Sequence, residues 1–303
     1  MATPYTYLPD RAVLALTGPD TIALLERLVT HSTANWTPGE NRYGALLTPQ
    51  GKIIADYLAL RTALGVLLDV ASNALADLHK RLTLFRLRAD VTLTPRDDLF
   101  VIAGTDPADH GPRPISGTAH VLVDPRYLGG RLRAFATQDE WQGWHGGHPA
   151  ESTRPLPDYH ADRIANAVGE WGSDFAAAQV FPADINMDKM TGVDLQKGCF
   201  VGQEVVSRMH RRGNIRRRTV ALTSTGSGSG TGSGIDLTPG TPIQAETPIG
   251  EITSVEGPRA LARIRIDRLA RADSNALTVN GAPVQLHIPD WLAAEMAALS
   301  ADG

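Results

Sequence analysis

Residues 197–204 read Lys-Gly-Cys-Phe-Val-Gly-Gln-Glu and contain the single cysteine of this 303-residue chain. Both glycines lie within three residues of Cys199, and a lysine, an amide and a carboxylate complete the segment. Seven basic residues follow between positions 208 and 218. Segments that form a hydrophobic core seldom have this composition. Residues 197–204, here called the cysteine box, are therefore predicted to form a functional loop.

Length and composition fit an ordinary globular protein with room for two domains, because 42% of the residues are hydrophobic and 20% are charged. The net charge of -4 speaks against a general nucleic-acid binder. One cysteine excludes an internal disulfide and fits a reducing compartment. The first ten residues do not resemble a signal peptide, and no apolar run approaches the roughly 18–20 residues that span a bilayer. We therefore expect a cytoplasmic protein without a membrane partner.

The N-terminal half alternates strand-like and helix-like segments. Strands are predicted at 11–16, 42–47, 52–60, 66–70, 91–93, 99–103, 120–123 and 131–136, with helices after Asp20 and from Ser72. Residues 139–157 show no clear periodicity, and Asp158 is predicted to cap a short helix that continues to Val168. This order predicts an α+β layout with a mostly antiparallel sheet.

The sharpest change in composition is the run of Gly, Ser and Thr at 223–234, which fits either a domain linker or, more readily, a long hairpin loop. Short strand-like segments follow it at close spacing and predict a small β-barrel. A tail helix is predicted from Pro289. We therefore predict one domain over 1–215 and a second over 216–303.

The cysteine box resembles the K-G-C-[FY]-x-G-Q-E signature of the YgfZ family, whose members are folate-binding proteins related to the glycine-cleavage T-protein, an aminomethyltransferase. Further similar segments are Asp162-Arg163-Ile164 with Gly169, residues 181–186, and the hairpin around Pro49. The resemblance spans nearly the whole chain. It implies a tripartite aminomethyltransferase-like folate-binding domain with a central channel, followed by a C-terminal barrel.

The resemblance also implies a function. It predicts an accessory protein for iron–sulfur cluster assembly or repair that supports enzymes such as those that modify tRNA. The implied cofactor is tetrahydrofolate or a one-carbon derivative, and the implied partners are iron–sulfur client or assembly proteins. The T-protein branch lacks the cysteine motif, so the chain is not expected to be a glycine-cleavage enzyme.

A pterin presents a ring N–H beside an exocyclic amino group, and a carboxylate accepts two parallel hydrogen bonds from that edge. The resemblance places Asp184 at this carboxylate position, with Asn186 in the same segment. Without the resemblance, Asp184 fits a surface aspartate in a turn almost equally well. Because Asp is one methylene shorter than the Glu commoner in the family, a bridging water is an alternative to direct contact.

Other residues are predicted to surround the folate. Arg163 and Arg208 supply a basic rim for its glutamate carboxylates. Tyr43 and Trp171 offer rings for stacking, although ordinary packing explains both more simply. Gln203 and Glu204 contact the ligand or shape the loop. Glu204 and Arg208 equally fit a plain helical ion pair at i,i+4 spacing.

Cys199 has three interpretations. As a reactive thiol, it would have its pKa lowered by Lys197 and the nearby arginines. As a cluster ligand, it would need a partner, because an iron–sulfur cluster is held by four ligands. As a small buried side chain, it would have no chemistry. The motif places a functional thiol first.

Two other functions remain open. One is an aminomethyltransferase that passes a one-carbon unit to tetrahydrofolate. The other is an RNA-binding module that uses the arginines of residues 208–218, although the acidic chain and its few aromatic residues speak against direct nucleic-acid binding. The pair His145 and His148 lacks a third ligand at metal spacing and is interpreted as loop.

Overall fold

The computed structural model describes residues 5–105, 120–145, 151, 153–213, 215–224 and 237–301. The chain divides into two compact units. The first unit comprises Met1–Tyr159, Ala176–Pro182 and Met187–Ser207. The second unit comprises His160–Phe175, Ala183–Asn186 and Arg208–Gly303. The domain division expected at 215 and 216 stays a prediction.

The first unit contains two antiparallel sheets. Its elements are β1 (Tyr5–Tyr7), β2 (Arg11–Thr17), α1 (Thr21–Leu28), β3 (Asn41–Leu47), β4 (Ile53–Arg61), β5 (Gly65–Ala71), α2 (Ser72–Arg86), β6 (Thr92–Pro95), β7 (Phe100–Gly104), β8 (His120–Val123), β9 (Leu132–Ala136) and α3 (Gln138–His145). One sheet has the order β3-β4-β5-β2-β6, and the other has the order β1-β7-β9-β8.

Apolar side chains between the sheets form the core of this unit. Val13 and Leu67 from one sheet join Val101 and Phe135 from the other in a single buried cluster. Helix α2 covers another face, since its buried residues Ala74, Leu78 and Leu82 recur every four positions and form one stripe. The alternation of strand and helix in the sequence thus produces layers around a shared core.

The second unit is built around a closed barrel. Its strands are β10 (Arg217–Ser224), β11 (Pro242–Gln244), β12 (Pro248–Glu256), β13 (Arg259–Arg265), β14 (Thr278–Val279) and β15 (Ala282–His287), in the order β10-β13-β12-β11-β14-β15. Pairing of β15 with β10 closes the barrel. Two helices accompany it, α6 (Ile266–Leu269) and α7 (Asp290–Ala301), and Leu292 of α7 joins the barrel core.

Three elements connect or cross the two units along the chain. They are α4 (Leu156–Ala165), a 3-10 turn (Pro182–Ile185) and α5 (Gln203–Arg211). Among the described residues, no helix is long and apolar enough to span a membrane.

The expected α+β class, the antiparallel sheets and the C-terminal barrel with its tail helix are confirmed. Residues 139–157 show no clear periodicity in the sequence, yet α3 forms over Gln138–His145. Thr137 and Glu140 exchange hydrogen bonds in a capping box that starts the helix, a signal present in the sequence. Helix α4 ends at Ala165 and not at Val168, since Ala167 has a left-handed φ of 54°. Residues 225–234 of the Gly/Ser-rich loop and His148 lie outside the described residues.

Candidate functional site

The cysteine box belongs to the first unit, where Lys197 fixes its start. The Lys197 ammonium donates to the backbone carbonyls of Val29, at 2.9 Å, and His31, at 2.7 Å. The Glu26 carboxylate lies 3.6 Å away, and only 1% of the Lys197 side chain is exposed. Burial lowers the pKa of Lys197 below its usual value, and Glu26 opposes this shift. These contacts tie the box to the connection between α1 and β3.

Gly202 fixes the other end of the box. Its φ is 80°, and a Cβ atom at this position would lie 2.6 Å from the Thr48 carbonyl oxygen and 3.0 Å from Gly51 Cα. Only glycine combines this backbone conformation with such a close approach. The turn between β3 and β4 therefore packs directly against the box.

Between these two anchors the thiol of Cys199 faces solvent. A Cβ atom on neighbouring Gly198 would have no heavy atom within 4 Å, so the surface beside the thiol is open. Gln203 Nε2 donates to the Lys197 carbonyl at 3.2 Å and shapes the loop from inside. Glu204 is exposed in the first turn of α5. The interpretation of Cys199 as an inert buried side chain is therefore wrong.

No group of three or more His, Cys, Asp or Glu side chains in the described part of the chain is arranged to hold a metal ion. The lone thiolate of Cys199 is one ligand at most. A cluster attached to it would need its remaining ligands from other molecules.

A cavity of about 670 Å³ opens in the first unit beside the segment that leads into the box. It is lined by polar and charged side chains, among them Arg42, Asp188, Asp194 and Gln196, together with His31. Burial lowers the pKa of His31 to about 4, so this imidazole is neutral at physiological pH. The cavity therefore presents carboxylates as well as a guanidinium to a ligand.

Tyr43 is part of the interior of the first unit. Its hydroxyl donates to Asp56 Oδ2 at 2.9 Å, and 2% of the residue is exposed. Backbone atoms of Gly192 cover its ring, because a Cβ there would lie 2.7 Å from Tyr43 Cδ1. This ring packs against protein, which is the simpler of the two interpretations of Tyr43.

Asp184 and Asn186 lie in the second unit, in and directly after the 3-10 turn. Both side chains are buried. The Asn186 side-chain amide donates to the Thr219 carbonyl at 2.7 Å, and the Thr219 hydroxyl donates to the Asp184 backbone carbonyl at 2.8 Å. This segment is therefore fastened to strand β10.

Arg163 is also buried in the second unit. Its Nη1 donates to Asp174 Oδ2 at 2.7 Å and to the Val168 carbonyl at 3.3 Å, and its Nη2 contacts the Ser254 hydroxyl at 3.3 Å. A guanidinium held in this way crosslinks its own unit, and its charge is balanced there by Asp174. Trp171 is half-buried, whereas Arg208 is exposed in the last turn of α5.

The ten predicted site residues thus divide between the units. The first unit holds Tyr43, Lys197, Cys199, Gln203 and Glu204, and the second holds Arg163, Trp171, Asp184, Asn186 and Arg208. Sequence reasoning missed Arg42, Asp188 and His31 in the cavity, as well as the Asp174 partner of Arg163. These residues are close together in the folded chain, but their spacing along the sequence does not indicate this.

Comparison with known proteins supports the two-part architecture. Residues 216–294 match the model of the CAF17 C-terminal beta-barrel domain. The glycine cleavage system aminomethyltransferase T of Bartonella henselae has the same fold, with a TM-score of 0.66 over 93% of this chain and 84% of that protein at 15% identity. The expected aminomethyltransferase-like fold is confirmed.

Similar curated proteins are iron–sulfur cluster assembly factors named IBA57. The Mycosarcoma maydis homolog is 32% identical over 262 residues, which cover 82% of this chain and 64% of that protein. The Neurospora crassa homolog is 28% identical and covers 70% of this chain and 52% of that protein. Human IBA57 is 28% identical over 94% of this chain and 84% of its own length. The chain therefore spans between about half and two thirds of these fungal relatives.

These likenesses change two expectations. The relatives are named IBA57 and not YgfZ, so the resemblance to YgfZ is a resemblance to a related family, and the comparisons bear out the fold that it implied. The expected cytoplasmic location is contradicted, since the fungal, human and mouse relatives are all named as mitochondrial.

Proposed function

We propose that this chain is an iron–sulfur cluster assembly factor of the IBA57 kind, which works together with other assembly proteins. The observation that carries the proposal is the likeness to human IBA57 over 94% of this chain and 84% of that protein. The exposed Cys199 on a doubly anchored loop supports it, because a thiol that must meet another protein has to reach the surface.

In this proposal Cys199 supplies one ligand to an iron–sulfur cluster in transit, and a partner protein supplies the others. Lys197 acts as a positioning residue, since its two hydrogen bonds to the Val29 and His31 carbonyls hold the box in place. The same site would support enzymes that depend on iron–sulfur clusters, including those that modify tRNA.

Complementation of cells that lack their own factor tests the proposal. The full chain should restore the activity of iron–sulfur enzymes. Cys199→Ser should abolish the rescue, and Lys197→Met should weaken it, because two carbonyls lose a charged donor. Leu128→Ala, at a residue that is fully exposed, serves as the control. Full rescue by Cys199→Ser would remove the thiol from the mechanism.

We further propose that the chain binds tetrahydrofolate. The cavity of about 670 Å³ in the first unit has a size common among small-molecule sites. Its carboxylates, Asp188 among them, suit the paired donors of a pterin edge, and Arg42 suits a glutamate carboxylate. Arg163 and Asn186 lie outside the lining of this cavity and are hydrogen-bonded within their own unit. When bound, tetrahydrofolate would supply a carrier for one-carbon units.

Titration of the purified protein with tetrahydrofolate tests this second proposal. We expect Asp188→Asn to weaken binding about 10-fold, which corresponds to the loss of one charged hydrogen bond, and Cys199→Ala to leave binding intact. The sequence predicts instead that Asp184→Ala weakens it. A loss confined to Asp184→Ala would contradict the cavity assignment. If the wild-type protein does not bind tetrahydrofolate, the folate proposal is wrong. The assembly role is then tested by complementation alone.

The fold itself supports one alternative, an aminomethyltransferase. Robust turnover of aminomethylated lipoyl carrier protein with tetrahydrofolate would favour this activity over the assembly role.

A further inference from the structure

The C-terminal end of α2 presents a group of exposed apolar side chains. Leu84 is 65% exposed, Phe85 is 38% exposed and Leu87 is 85% exposed. The other large exposed apolar residues of the described part of the chain are scattered, at Leu64, Val123, Leu128 and Leu195. Three such residues within four positions concentrate exposed apolar surface at one helix end, and a concentration of this kind marks a site of interaction.

The backbone at Leu87 makes this surface more unusual. Leu87 follows the last residue of α2 with a left-handed φ of 51°. Glycine is the common residue where a helix ends in this way, because side chains clash with the backbone at positive φ. A leucine here is strained and also exposed to water. Strain of this kind persists where a function requires the residue.

Cations surround the apolar group. Arg27, Arg86 and Arg88 line a cavity of about 630 Å³, together with Asp20 and Leu87. Arg86 Nη1 donates to the Val91 carbonyl at 2.7 Å, which fixes this side chain at the cavity wall. Residues 77–90 contain four Lys or Arg residues and two Asp residues, and Arg81 is paired with Asp77 at 2.8 Å, so this end of α2 carries a local positive charge although the whole chain carries a net charge of -4. The local charge therefore favours an anionic partner.

We propose that residues 83–89 and Arg27, here called the α2 tip, dock on the surface of a bilayer with anionic headgroups. In a phospholipid layer, phosphates lie directly above acyl chains, and the α2 tip places an arginine-lined cavity beside protruding Leu and Phe side chains. Headgroup phosphates would bind the arginines while Leu84, Phe85 and Leu87 enter the interface. The apolar side chains protrude from a helix end, so they suit a deformable layer better than a groove on a protein.

This contact lies on the membrane surface and requires no spanning helix. It goes beyond the proposed assembly function, and it differs from the expectation of no membrane partner, which rested on the lack of a long apolar run. The full chain should bind vesicles of phosphatidylcholine containing about one third phosphatidylglycerol, and it should not bind phosphatidylcholine alone. Binding should fall as salt rises.

Variants of the α2 tip test the assignment in vesicle flotation. Arg27→Gln combined with Arg88→Gln should weaken binding roughly 5-fold for each charge removed. Leu87→Gly should also weaken binding roughly 5-fold while it raises Tm, since it relieves the backbone strain of an exposed residue. This opposite pair of effects separates a docking role from a folding role.

Matched controls are Leu64→Gly, at a residue 80% exposed elsewhere in the first unit, and Arg259→Gln combined with Arg271→Gln. These should bind vesicles like the wild type. Equal binding of neutral and anionic vesicles, or wild-type binding by the α2-tip variants, would overturn the proposal. Capture of soluble polyglutamate without any vesicle binding would also overturn it and would point to an acidic protein.

Discussion

Arg163 in the second unit and Lys197 in the first unit are cations that the sequence assigned to functional roles, Arg163 to the folate site and Lys197 to the thiol site, and both are buried structural anchors. They differ in what neutralises them. Arg163 is paired with the Asp174 carboxylate at 2.7 Å. Lys197 binds two neutral carbonyls and has its nearest carboxylate, on Glu26, at 3.6 Å.

This difference shows that the two units use different contacts to fix their functional segments. In the second unit, Arg163 pairs with Asp174 and also with Glu170 at 3.5 Å, and Thr253 and Ser254 donate hydrogen bonds to Asp174, so α4 is joined to the barrel. Removal of one charge leaves its buried partner at a high energetic cost. In the first unit, backbone carbonyls hold the ammonium, so removal of Lys197 leaves no buried charge behind. Cys199 remains exposed and can reach a partner protein.

The largest effect is expected at Arg163. Arg163→Met should lower the free energy of unfolding by about 3–5 kcal/mol, because the Asp174 carboxylate would stay buried without its partner. Arg96→Met breaks an ion pair with Asp98 that is partly exposed, and it should cost about 0–1 kcal/mol. Urea unfolding measures both values. A cost at Arg163 no larger than at Arg96 would contradict the assigned ion pair.

A second prediction concerns His31, whose backbone carbonyl binds Lys197. Its pKa is about 4 in the folded protein and 6.5 when unperturbed. Between these values the unfolded chain binds a proton that the folded chain does not, so stability is fully present above pH 6.5 and falls as the pH drops towards 4. The loss should be about 3 kcal/mol.

Urea unfolding between pH 7 and pH 4, for wild type and His31→Gln, measures this contribution. The variant should lose less stability than the wild type over the same pH range, by roughly the same 3 kcal/mol. Parallel pH profiles would show that another group carries the dependence.

The smallest effects separate two glycines near the predicted site. Gly192→Ala in the first unit would place a Cβ 2.7 Å from Tyr43 Cδ1, a ring atom that cannot easily move, and should cost about 1–3 kcal/mol. Gly169→Ala in the second unit places its Cβ at 3.8 Å from its nearest neighbours, an ordinary contact, and should change stability by less than about 0.5 kcal/mol. Thermal unfolding distinguishes the two, and equal Tm values would contradict the close packing on Tyr43.

Much of the fold follows from local patterns. The strands of the barrel were predictable because short apolar segments alternate with turns, and α2 was predictable from the spacing of Leu78 and Leu82. Helix α3 was missed, although its Thr137 and Glu140 capping box was visible, because no apolar periodicity accompanied it.

The site was less predictable than the fold. The sequence singled out Cys199 in a glycine-framed loop, since a local motif defines that loop, and the structure shows the thiol exposed there. It could not reveal that Lys197 turns inward to Val29 and His31, or that Arg163 meets Asp174 and Ser254, because these contacts join residues that are distant along the chain. The spacing of residues along the sequence does not distinguish a buried structural cation from one that binds a ligand.

The closure of the barrel has a consequence for synthesis on the ribosome. Strand β10 is the first strand of the barrel to be made, but one of its partners, β15, is the last. Before β15 is made, β10 can pair with β13 along one edge, while the backbone groups on its other edge have no strand partner. The barrel therefore closes only after β15 has left the ribosome, and truncation before Ala282 should leave a chain prone to aggregation.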